Sequence, residues 1–567
     1  MVYISQAMLQ ILDTLGRDEF TVKDAEKALD RKELAKTLFD MYVQGLVDLL
    51  GRETFRITPQ AFRVREAWLS LGRPSADPWV DTRIYTMITS VIEAEGFIPG
   101  HWRPILEERG FLEGDELALE AHEFAEALSK MTRRLHVSKP IARLITALPE
   151  GPAANTYYKS DLTDSLEAMG LLASSIPLGH FAALTRPGRL LRRALQQLNL
   201  NADSPLLLDA NIKAMLEKLL SGEKLAASEQ ALLGKLGYTS STGAPRPAAR
   251  MALNAWKLLN HPEETPPFSL SQSELQLLDT ITKRWKKAES NPEEAPTPKK
   301  LKEELQDRWT GEYYSVTLTL YHLEAMGLVE RTIFNKKEVV RLTDHGKRIL
   351  DASNGRPSST LAARALVEYD SGRGSTEEWV EKGRDEGLLG IGGPTRYGRA
   401  LAQAAREGEK SVFLTGLEAL ILKRLPSGRA VERGRIIASF KRYSGDVEKA
   451  LEKLETRGLV KTTGVGFLVA TPIGEKVKTT VIGVDTGIAV PIHPVLIKVL
   501  KAVSQTGLDD PAELINTLKL DIDTVKTALI LARRAGFLGK TGLTESGKTL
   551  LEVVEDMARV SAAEKGE

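Results

Sequence analysis

Residues 313–350 read YYSVTLTLYHLEAMGLVERTIFNKKEVVRLTDHGKRIL. In the first part of this stretch Val316, Leu320 and Leu323 recur at helical spacing, so the pattern predicts a helix with one apolar face. Gly327 is expected to end that helix, because glycine readily takes the left-handed conformation in which many helices terminate.

The second part of the stretch predicts a β-hairpin followed by another helix. Residues 328–329 begin one strand, residues 339–342 form the returning strand, and Asn335 lies in the turn between them. Thr343 stands where its side chain caps a helix that begins at Asp344. The predicted order is therefore helix, glycine, hairpin, threonine and helix.

This order of elements resembles the recognition helix and wing of PadR- and MarR-type transcription regulators, which are winged helix-turn-helix proteins. The resemblance rests on the Gly-Leu step, the hairpin and the Leu-Thr-x-x-Gly sequence that ends at Gly346. It implies a module whose third helix enters the major groove of DNA and whose wing contacts backbone phosphate.

Both parts of the signature recur along the chain. The glycine–apolar step is found at Gly45-Leu46, Gly170-Leu171, Gly327-Leu328, Gly387-Leu388, Gly458-Leu459 and Gly536-Phe537. Threonine followed three positions later by a small residue is found at Thr58, Thr185, Thr343, Thr395, Thr471 and Thr544. Six copies in the same order predict an internal repeat.

The repeat predicts a mainly helical chain of eight tandem modules with short β-hairpins, arranged as an elongated or curved array. Full winged helices are predicted at 1–75, 131–203, 268–352 and 411–482, and abbreviated copies at 76–130, 204–262, 358–409 and 490–557. This alternation indicates that a two-module unit was duplicated. Residues 289–298, a polar and proline-rich insertion in the fifth module, are predicted to form a mobile loop.

Composition places the chain among globular proteins, with 42% hydrophobic and 27% charged residues. The chain has no cysteine, which excludes disulfides, thiol nucleophiles and the common zinc ribbons. No apolar run reaches the roughly 18 residues of a transmembrane helix, and the N-terminus lacks the features of a secretory signal. We therefore expect a cytoplasmic protein without membrane contact.

Basic and acidic residues balance over the whole chain but not within every individual module. There are 77 basic and 76 acidic residues in total. Residues 130–200 hold 10 basic against 4 acidic residues, and residues 411–480 hold 13 against 7. Residues 76–129 instead hold 3 against 12. An acidic second module repels phosphate, whereas the third and seventh modules could approach it.

The sequence offers several basic candidates for phosphate contact, although each cluster can instead be a solvated helix end or an inter-module salt bridge. In the fifth module the positions expected to be exposed on the third helix are Ser315, Thr319 and His322, which carry little charge. The acidic residues on other third helices make most of them poor readers of base sequence. The candidate nucleic-acid-binding residues are Lys32, Lys36, Arg133, Arg134, Lys159, Arg331, Lys336, Lys337, Arg341, Arg433, Arg435, Lys441 and Arg442.

Nothing in the sequence indicates an enzyme, a cofactor or a metal site. The eight histidines are scattered without metal-ligand spacing. The glycine-rich segment 387–394 resembles a phosphate-cradling loop, but no Walker lysine follows it, and it lies where the repeat places a wing turn. No nucleophile elbow and no alternation of strands and helices is present.

Two functions from different classes remain open. One is a DNA-associated regulatory or architectural protein whose basic, winged modules contact the backbone of double-stranded DNA. The alternative is a protein-interaction scaffold in a multisubunit assembly, which the neutral charge and the acidic second module favour. As a whole, the chain also resembles long winged-helix-rich proteins of archaea and deep-branching bacteria that carry no assigned function.

Overall fold

The computed structural model describes residues 2–16, 19–50, 54–148, 153–154, 161–174, 181–260, 265–309, 312–371, 377–390, 393–440, 444–463, 465–485, 487–540 and 542–565. Helices dominate, and small antiparallel strand pairs join them. Four large hydrophobic cores, each spanning two consecutive predicted modules, follow one another along the chain. We define units 1 to 4 by these cores, as residues 2–130, 131–260, 265–409 and 411–565.

Unit 1 begins with a strand that precedes its first helix. Its helices are α1 (Gln6–Leu15), α2 (Val22–Ala28), α3 (Ala35–Gln44), α4 (Pro59–Ser70), α5 (Thr82–Glu93), α6 (Arg103–Glu108) and α7 (Leu119–Ser129). Its strands are β1 (Tyr3–Ile4), β2 (Phe20–Thr21), β3 (Val47–Leu49), β4 (Thr54–Ile57), β5 (Val80–Asp81), β6 (Leu112–Glu113) and β7 (Glu116–Leu117).

Unit 2 follows a similar order, with one helix and two strands fewer among its described residues and a longer last helix. Its helices are α8 (Lys139–Ala147), α9 (Asp161–Ala168), α10 (Arg186–Leu195), α11 (Ala210–Ser221), α12 (Ala227–Leu236) and α13 (Pro247–Asn260). Its strands are β8 (Val137–Ser138), β9 (Ala153–Ala154), β10 (Leu172–Ser174), β11 (Phe181–Leu184) and β12 (Leu206–Leu208).

Unit 3 contains the stretch 313–350, and its helices and strands there match the sequence-based prediction. Its helices are α14 (Gln272–Ala288), α15 (Pro298–Leu305), α16 (Val316–Ala325), α17 (Asp344–Ser353), α18 (Thr360–Ser371), α19 (Glu377–Asp385) and α20 (Arg396–Glu407). Its strands are β13 (Val329–Phe334), β14 (Lys337–Leu342), β15 (Leu389–Gly390) and β16 (Gly393–Pro394).

Unit 4 completes the chain. Its helices are α21 (Gly416–Arg424), α22 (Arg433–Ser439), α23 (Ser444–Thr456), α24 (Pro472–Val481), α25 (Pro494–Thr506), α26 (Pro511–Leu518), α27 (Ile522–Arg534) and α28 (Glu545–Lys565). Its strands are β17 (Val431–Glu432), β18 (Val460–Thr462), β19 (Phe467–Ala470), β20 (Leu538–Gly539) and β21 (Gly542–Leu543).

Among the described residues, the same helix-ending turn occurs eight times at a glycine followed by leucine or an aromatic residue, twice in each unit. At each site a glycine has a positive φ of 71° to 93°, and the residue after it donates its N–H to the carbonyl five residues earlier. Glycine is required there because this left-handed conformation is costly for a residue with a Cβ. The eight glycines are Gly45, Gly110, Gly170, Gly237, Gly327, Gly387, Gly458 and Gly536.

Six of these turns are tied to the next helix by a threonine. In each, the threonine Oγ1 donates to the carbonyl of the turn glycine at 2.6–2.9 Å. The same Oγ1 accepts the backbone N–H of the third following residue at 3.0–3.4 Å, which caps the helix. One side chain thus fixes the end of one helix and the start of another, as the sequence signature predicts.

The small residue three positions after the threonine has a steric cause. A Cβ built on Gly474 would lie 1.9 Å from the carbonyl oxygen of Leu459, and one on Gly346 would lie 2.2 Å from that of Leu328. The first copy carries Ala61 instead, so that copy accommodates one methyl group. Close contact of helix and strand backbones therefore sets the repeat spacing.

A second recurring contact closes each unit on itself. The backbone preceding the first helix pairs with the backbone that begins the unit's second module. Trp79 N donates to Ile4 O in unit 1, and Ser358 N donates to Leu270 O in unit 3, at 2.9 and 2.8 Å. The corresponding pairs are β8 with β12 in unit 2 and Leu414 with Ile492 in unit 4. The four units therefore share one plan.

Consecutive units dock in the same way in both halves of the chain. Arg134 N of unit 2 donates to Val43 O of unit 1 at 2.8 Å, and Ser411 N of unit 4 donates to Ala325 O of unit 3 at 2.9 Å. Both carbonyls lie two residues before a turn glycine. The second half of the molecule is thus a structural counterpart of the first.

The two ends of the array also meet. Phe97 of unit 1 packs on Phe467 of unit 4, with ring centroids 5.7 Å apart, and Lys461 of unit 4 lies 3.9 Å from Glu93. Unit 1 therefore contacts unit 4, which fits the curved form of the predicted array and not the elongated one.

The insertion 289–298 is ordered by contacts with the hairpin, so its prediction as a mobile loop is wrong. It contains a 3-10 turn at Pro292–Glu294. Ala295 is buried and packs near Val339 of β14. Pro296 O accepts the N–H of Val340 at 2.9 Å. In the other long hairpins a short strand (β2, β9 or β17) occupies this place.

Candidate functional site

The third helix of the fifth module, α16, is buried between units 3 and 4. Thr319 is 2% exposed and His322 is fully buried, whereas Ser315 is exposed. Unit 4 covers the helix: the Tyr321 ring stacks on His493 of unit 4 at 4.5 Å. The prediction that Thr319 and His322 are exposed is therefore wrong.

A charged cluster lies where α16 meets α14 and α23. The Glu274 carboxylate is 2.5 Å from Lys453 Nζ and 3.3 Å from His322 Nε2. Neither ring nitrogen of His322 has hydrogen-bonding geometry to another described atom. Burial, and next the charges of Lys453 and Arg457, hold the pKa of His322 well below its usual value, so the ring is neutral.

A second buried pair lies beside the first. Arg457 Nη2 is 2.7 Å from Glu418 Oε1, and the side chains are 3% and 0% exposed. The Tyr314 hydroxyl donates to the same carboxylate. Arg457 also donates to Phe413 O at 2.6 Å. Burial alone would lower the pKa of Arg457, but Glu418 together with Tyr314 and Tyr313 raises that pKa above its usual value, so Arg457 is charged beside Glu418.

A pocket of about 200 Å³ adjoins this cluster at the boundary of units 3 and 4. It lies at the N-termini of α14 and α18, and one face of α23 forms the opposite wall. Most of its lining side chains carry a hydroxyl or a charge. They are Ser269, Ser271, Ser273, Glu274, Glu312, Tyr313, Tyr314, Thr319, Ser358, Ser359, Thr360, Lys449, Glu452, Lys453 and Thr456.

The first half of the chain has different residues at the corresponding positions. Glu274 and Met8 each lie three residues after the serine that caps the first helix of their unit. Counted back from the turn glycines Gly458 and Gly170, Lys453 corresponds to Ser165 and Arg457 to Met169. By the cap positions, Glu418 corresponds to Ile141. The fold therefore forms without these charges, and the cluster is particular to the second half.

Arg331, predicted to contact phosphate from the hairpin, is buried in a third ionic cluster. It lies 2.9 Å from Glu324 and 2.6 Å from Glu338, and its side chain is 6% exposed. Lys498 of unit 4 binds the other oxygen of Glu324 at 2.9 Å. Burial by itself would lower the pKa of Arg331, but the two carboxylates raise it. Arg331 therefore joins units 3 and 4 rather than facing solvent.

Arg133 and Arg134, two further candidates, lie between units 1 and 2. Burial lowers the pKa of Arg133 to about 10, and its backbone N–H donates to Asn260. Arg134 donates to the carbonyls of Tyr42 and Val47, at 3.0 and 2.9 Å, and pairs with Asp48. Both arginines are inter-unit contacts.

The remaining described candidates are at least partly accessible, and most have acidic neighbours. Lys337 pairs with Glu293, and Arg341 with Glu330. Arg433 lies near Glu448, and Arg435 near Glu432. Lys32, Lys36 and Lys336 are exposed. Lys159, Lys441 and Arg442 lie outside the described residues.

Sequence reasoning missed Glu274, Lys453, Glu418 and Arg457 as a cluster. A signal was present, because each polar residue replaces an apolar or small residue at the same position of the first-half copy. Within the ranges that the structure describes, no group of three or more histidine or acidic side chains is placed to hold a metal ion. In the same ranges no helix is long and apolar enough to cross a membrane.

Comparison with known proteins identifies a family for this chain but indicates no activity. An uncharacterised protein of Methanocaldococcus jannaschii is 23% identical over 592 aligned positions, which cover 97% of this chain and 99% of the relative. No solved structure matches the chain. A family model described as a protein of unknown function (DUF505) matches residues 1–313 and again residues 306–554. Because these two matches cover most of the sequence, the chain belongs to the DUF505 family.

Proposed function

We propose that this chain is a non-enzymatic protein-interaction scaffold, built from tandem modules of winged-helix type that pack on one another and make no direct contact with DNA. The element order supports the module type. In unit 1, α1, β2, α2, α3, β3 and β4 follow the order of a winged helix, with three helices and a three-stranded sheet, and α4 follows them.

The burial of α16 carries this proposal. A third helix can read a major groove only if its outer face is open. In α16 that face carries Thr319 and His322, which are at most 2% exposed. On another side of the helix Glu324 is 7% exposed and binds Lys498 of unit 4. The corresponding helix of the seventh module, α23, directs Lys453 and Arg457 into the same boundary. These helices hold the array together.

The third helix of the last module, α27, is open and offers a surface for a partner protein. Ile522 is 40% and Ile530 is 65% exposed, and they lie on one face of the helix with Lys526 between them. Two exposed apolar side chains with a lysine between them suit a partner with an apolar patch and an acidic group opposite Lys526.

Titration with DNA tests the absence of nucleic-acid contact. A fluorescent random duplex is titrated with the full chain at rising salt, and anisotropy is recorded. We expect no saturable binding even at low salt. The DNA-associated alternative instead requires affinity that falls steeply with salt and a slope reduced in the variant Lys336→Ala, Lys337→Ala, Arg341→Ala. That result would overturn the proposal.

The scaffold function has its own test on α27. The tagged chain and the variant Ile522→Asp, Ile530→Asp are expressed in the source cells, and co-purifying proteins are quantified. We expect at least one stoichiometric partner that the variant loses. Ile482→Asp is the matched control, because Ile482 is 64% exposed at the end of α24. A partner set unchanged between the α27 variant and the control would contradict docking on α27.

A further inference from the structure

The pocket between units 3 and 4 is lined by an unusual density of hydroxyl groups. Five serines, three threonines and two tyrosines contribute to its wall. Several of them already bond to each other: Ser269 lies 3.0 Å from Thr456 and 3.3 Å from Thr360, and Ser271 lies 2.9 Å from Ser273. Each hydroxyl can both donate and accept, so these chains of hydroxyls retain capacity for further bonds.

We propose that this pocket binds a neutral, polyhydroxylated small molecule such as a sugar or polyol. A ligand with several hydroxyls matches a wall of groups that donate and accept, because each ligand hydroxyl also needs both a donor and an acceptor. The Tyr313 and Tyr314 side chains add aromatic surface at one side. A volume of about 200 Å³ suits a small molecule rather than a peptide.

The charges of the wall favour a neutral ligand over an anion. Glu274 and Lys453 neutralise each other at 2.5 Å, and both can bond to ligand hydroxyls. The other charged lining residues are Glu312, Glu452 and Lys449. Three carboxylates against two ammonium groups repel a phosphate or carboxylate, although the N-termini of α14 and α18 attract one.

The fold does not require the polar lining. Ser273 corresponds to Ala7 in unit 1, since each lies two residues after the capping serine. Thr456 corresponds to Ala168, two residues before the turn glycine. Ser358 corresponds to Trp79 through the backbone bond that closes each unit. Alanine and tryptophan at these places build the same architecture in the first half, so the fold does not depend on a hydroxyl at these three positions.

Calorimetric titration of the full chain with myo-inositol, glucose and glycerol tests the proposal, with citrate and phosphate as anionic probes. We expect saturable binding of at least one polyol and none of the anions. The variant Ser273→Ala, Thr456→Ala takes the residues of the first half and should therefore fold. It should weaken polyol binding by about tenfold or more, because two hydrogen-bonding groups are lost. Ser221→Ala, an exposed serine of unit 2, is the control and should bind as the unmodified chain does.

Three outcomes would overturn the proposal: no saturable heat with any polyol, binding of the anions in preference, or polyol binding that the double variant leaves unchanged. Circular dichroism of the double variant verifies that a loss of binding is not a loss of folding. The proposal is independent of the scaffold function, since a polyol site can exist whether or not α27 binds a partner.

Discussion

Arg457 Nη2 lies 2.7 Å from Glu418 Oε1 in a place where neither side chain is more than 3% exposed. A buried ion pair is costly to desolvate, and an apolar pair of similar size is often as stable. The first half of the chain has an apolar pair at this place, because Met169 and Ile141 occupy the corresponding positions. The pair therefore offers a direct test of the correspondence between the halves.

Arg457→Met alone should lower the free energy of unfolding by about 3–5 kcal/mol, because Glu418 would remain charged and buried without its partner. The double variant Arg457→Met, Glu418→Ile should recover most of that loss, since it installs the pair of the first half. Urea unfolding followed by circular dichroism measures both. A double variant no more stable than the single one would contradict the correspondence.

Gly474→Ala should be among the most damaging single-methyl changes in the chain. The added Cβ would lie 1.9 Å from Leu459 O, so the helix must move away from the strand. We expect a loss of about 2–3 kcal/mol in the free energy of unfolding, the upper range for overpacking. Gly445→Ala is the control, because a Cβ there meets no atom within 4 Å; this change should be neutral or slightly stabilising.

The sequence predicted local structure well because the deciding interactions are local. The bond at the end of α16 joins Leu328 N to Leu323 O, and the bond that caps α17 joins Gly346 N to Thr343 Oγ1. Because each spans five residues or fewer, a repeated residue pattern was enough to find them. The mainly helical class with short hairpins followed from the same pattern.

The surroundings of each helix could not be predicted in this way. The residue pattern places Thr319 and His322 on an exposed face, but both are buried where α16 meets α14 of unit 3 and α23 of unit 4. Arg331 carried the same ambiguity, because a basic residue on a hairpin can face solvent or pair with a carboxylate of its own unit, as Arg331 does with Glu324. Lys498 of unit 4 binds that carboxylate as well. These outcomes depend on how units dock, which residue spacing within one module does not encode.

Low pH should lower the free energy of unfolding, and part of this loss should come from His322. The pKa of His322 is far below 6.5 in the folded chain, so below pH 6.5 the unfolded chain binds a proton that the folded chain does not. Stability therefore falls with pH by about 1.4 kcal/mol per pH unit below 6.5 for this residue. Burial, and next Arg331, lowers the pKa of His493 to about 3, so His493 adds a similar loss down to that pH.

His322→Phe should remove one of these two contributions. Urea unfolding at pH 7, 6 and 5 should show a shallower loss of stability in the variant than in the unmodified chain. His122→Gln is the control, since His122 is exposed and its replacement should leave the slope unchanged. Identical slopes for the unmodified chain and His322→Phe would show that His322 gains a proton in the folded state.

Arg331→Met should separate a structural role of the hairpin arginine from a DNA-binding one. The change leaves Glu338 buried without its cation and removes one of the two cations at Glu324, so the free energy of unfolding should fall by about 3–5 kcal/mol.

Arg341→Met is the matched control on the same hairpin. Arg341 is 54% exposed beside Glu330, and such a pair contributes less than about 1 kcal/mol. If Arg331 were a phosphate contact, its replacement would leave stability nearly unchanged and would weaken duplex binding instead. Urea unfolding and duplex anisotropy on the two variants distinguish these roles.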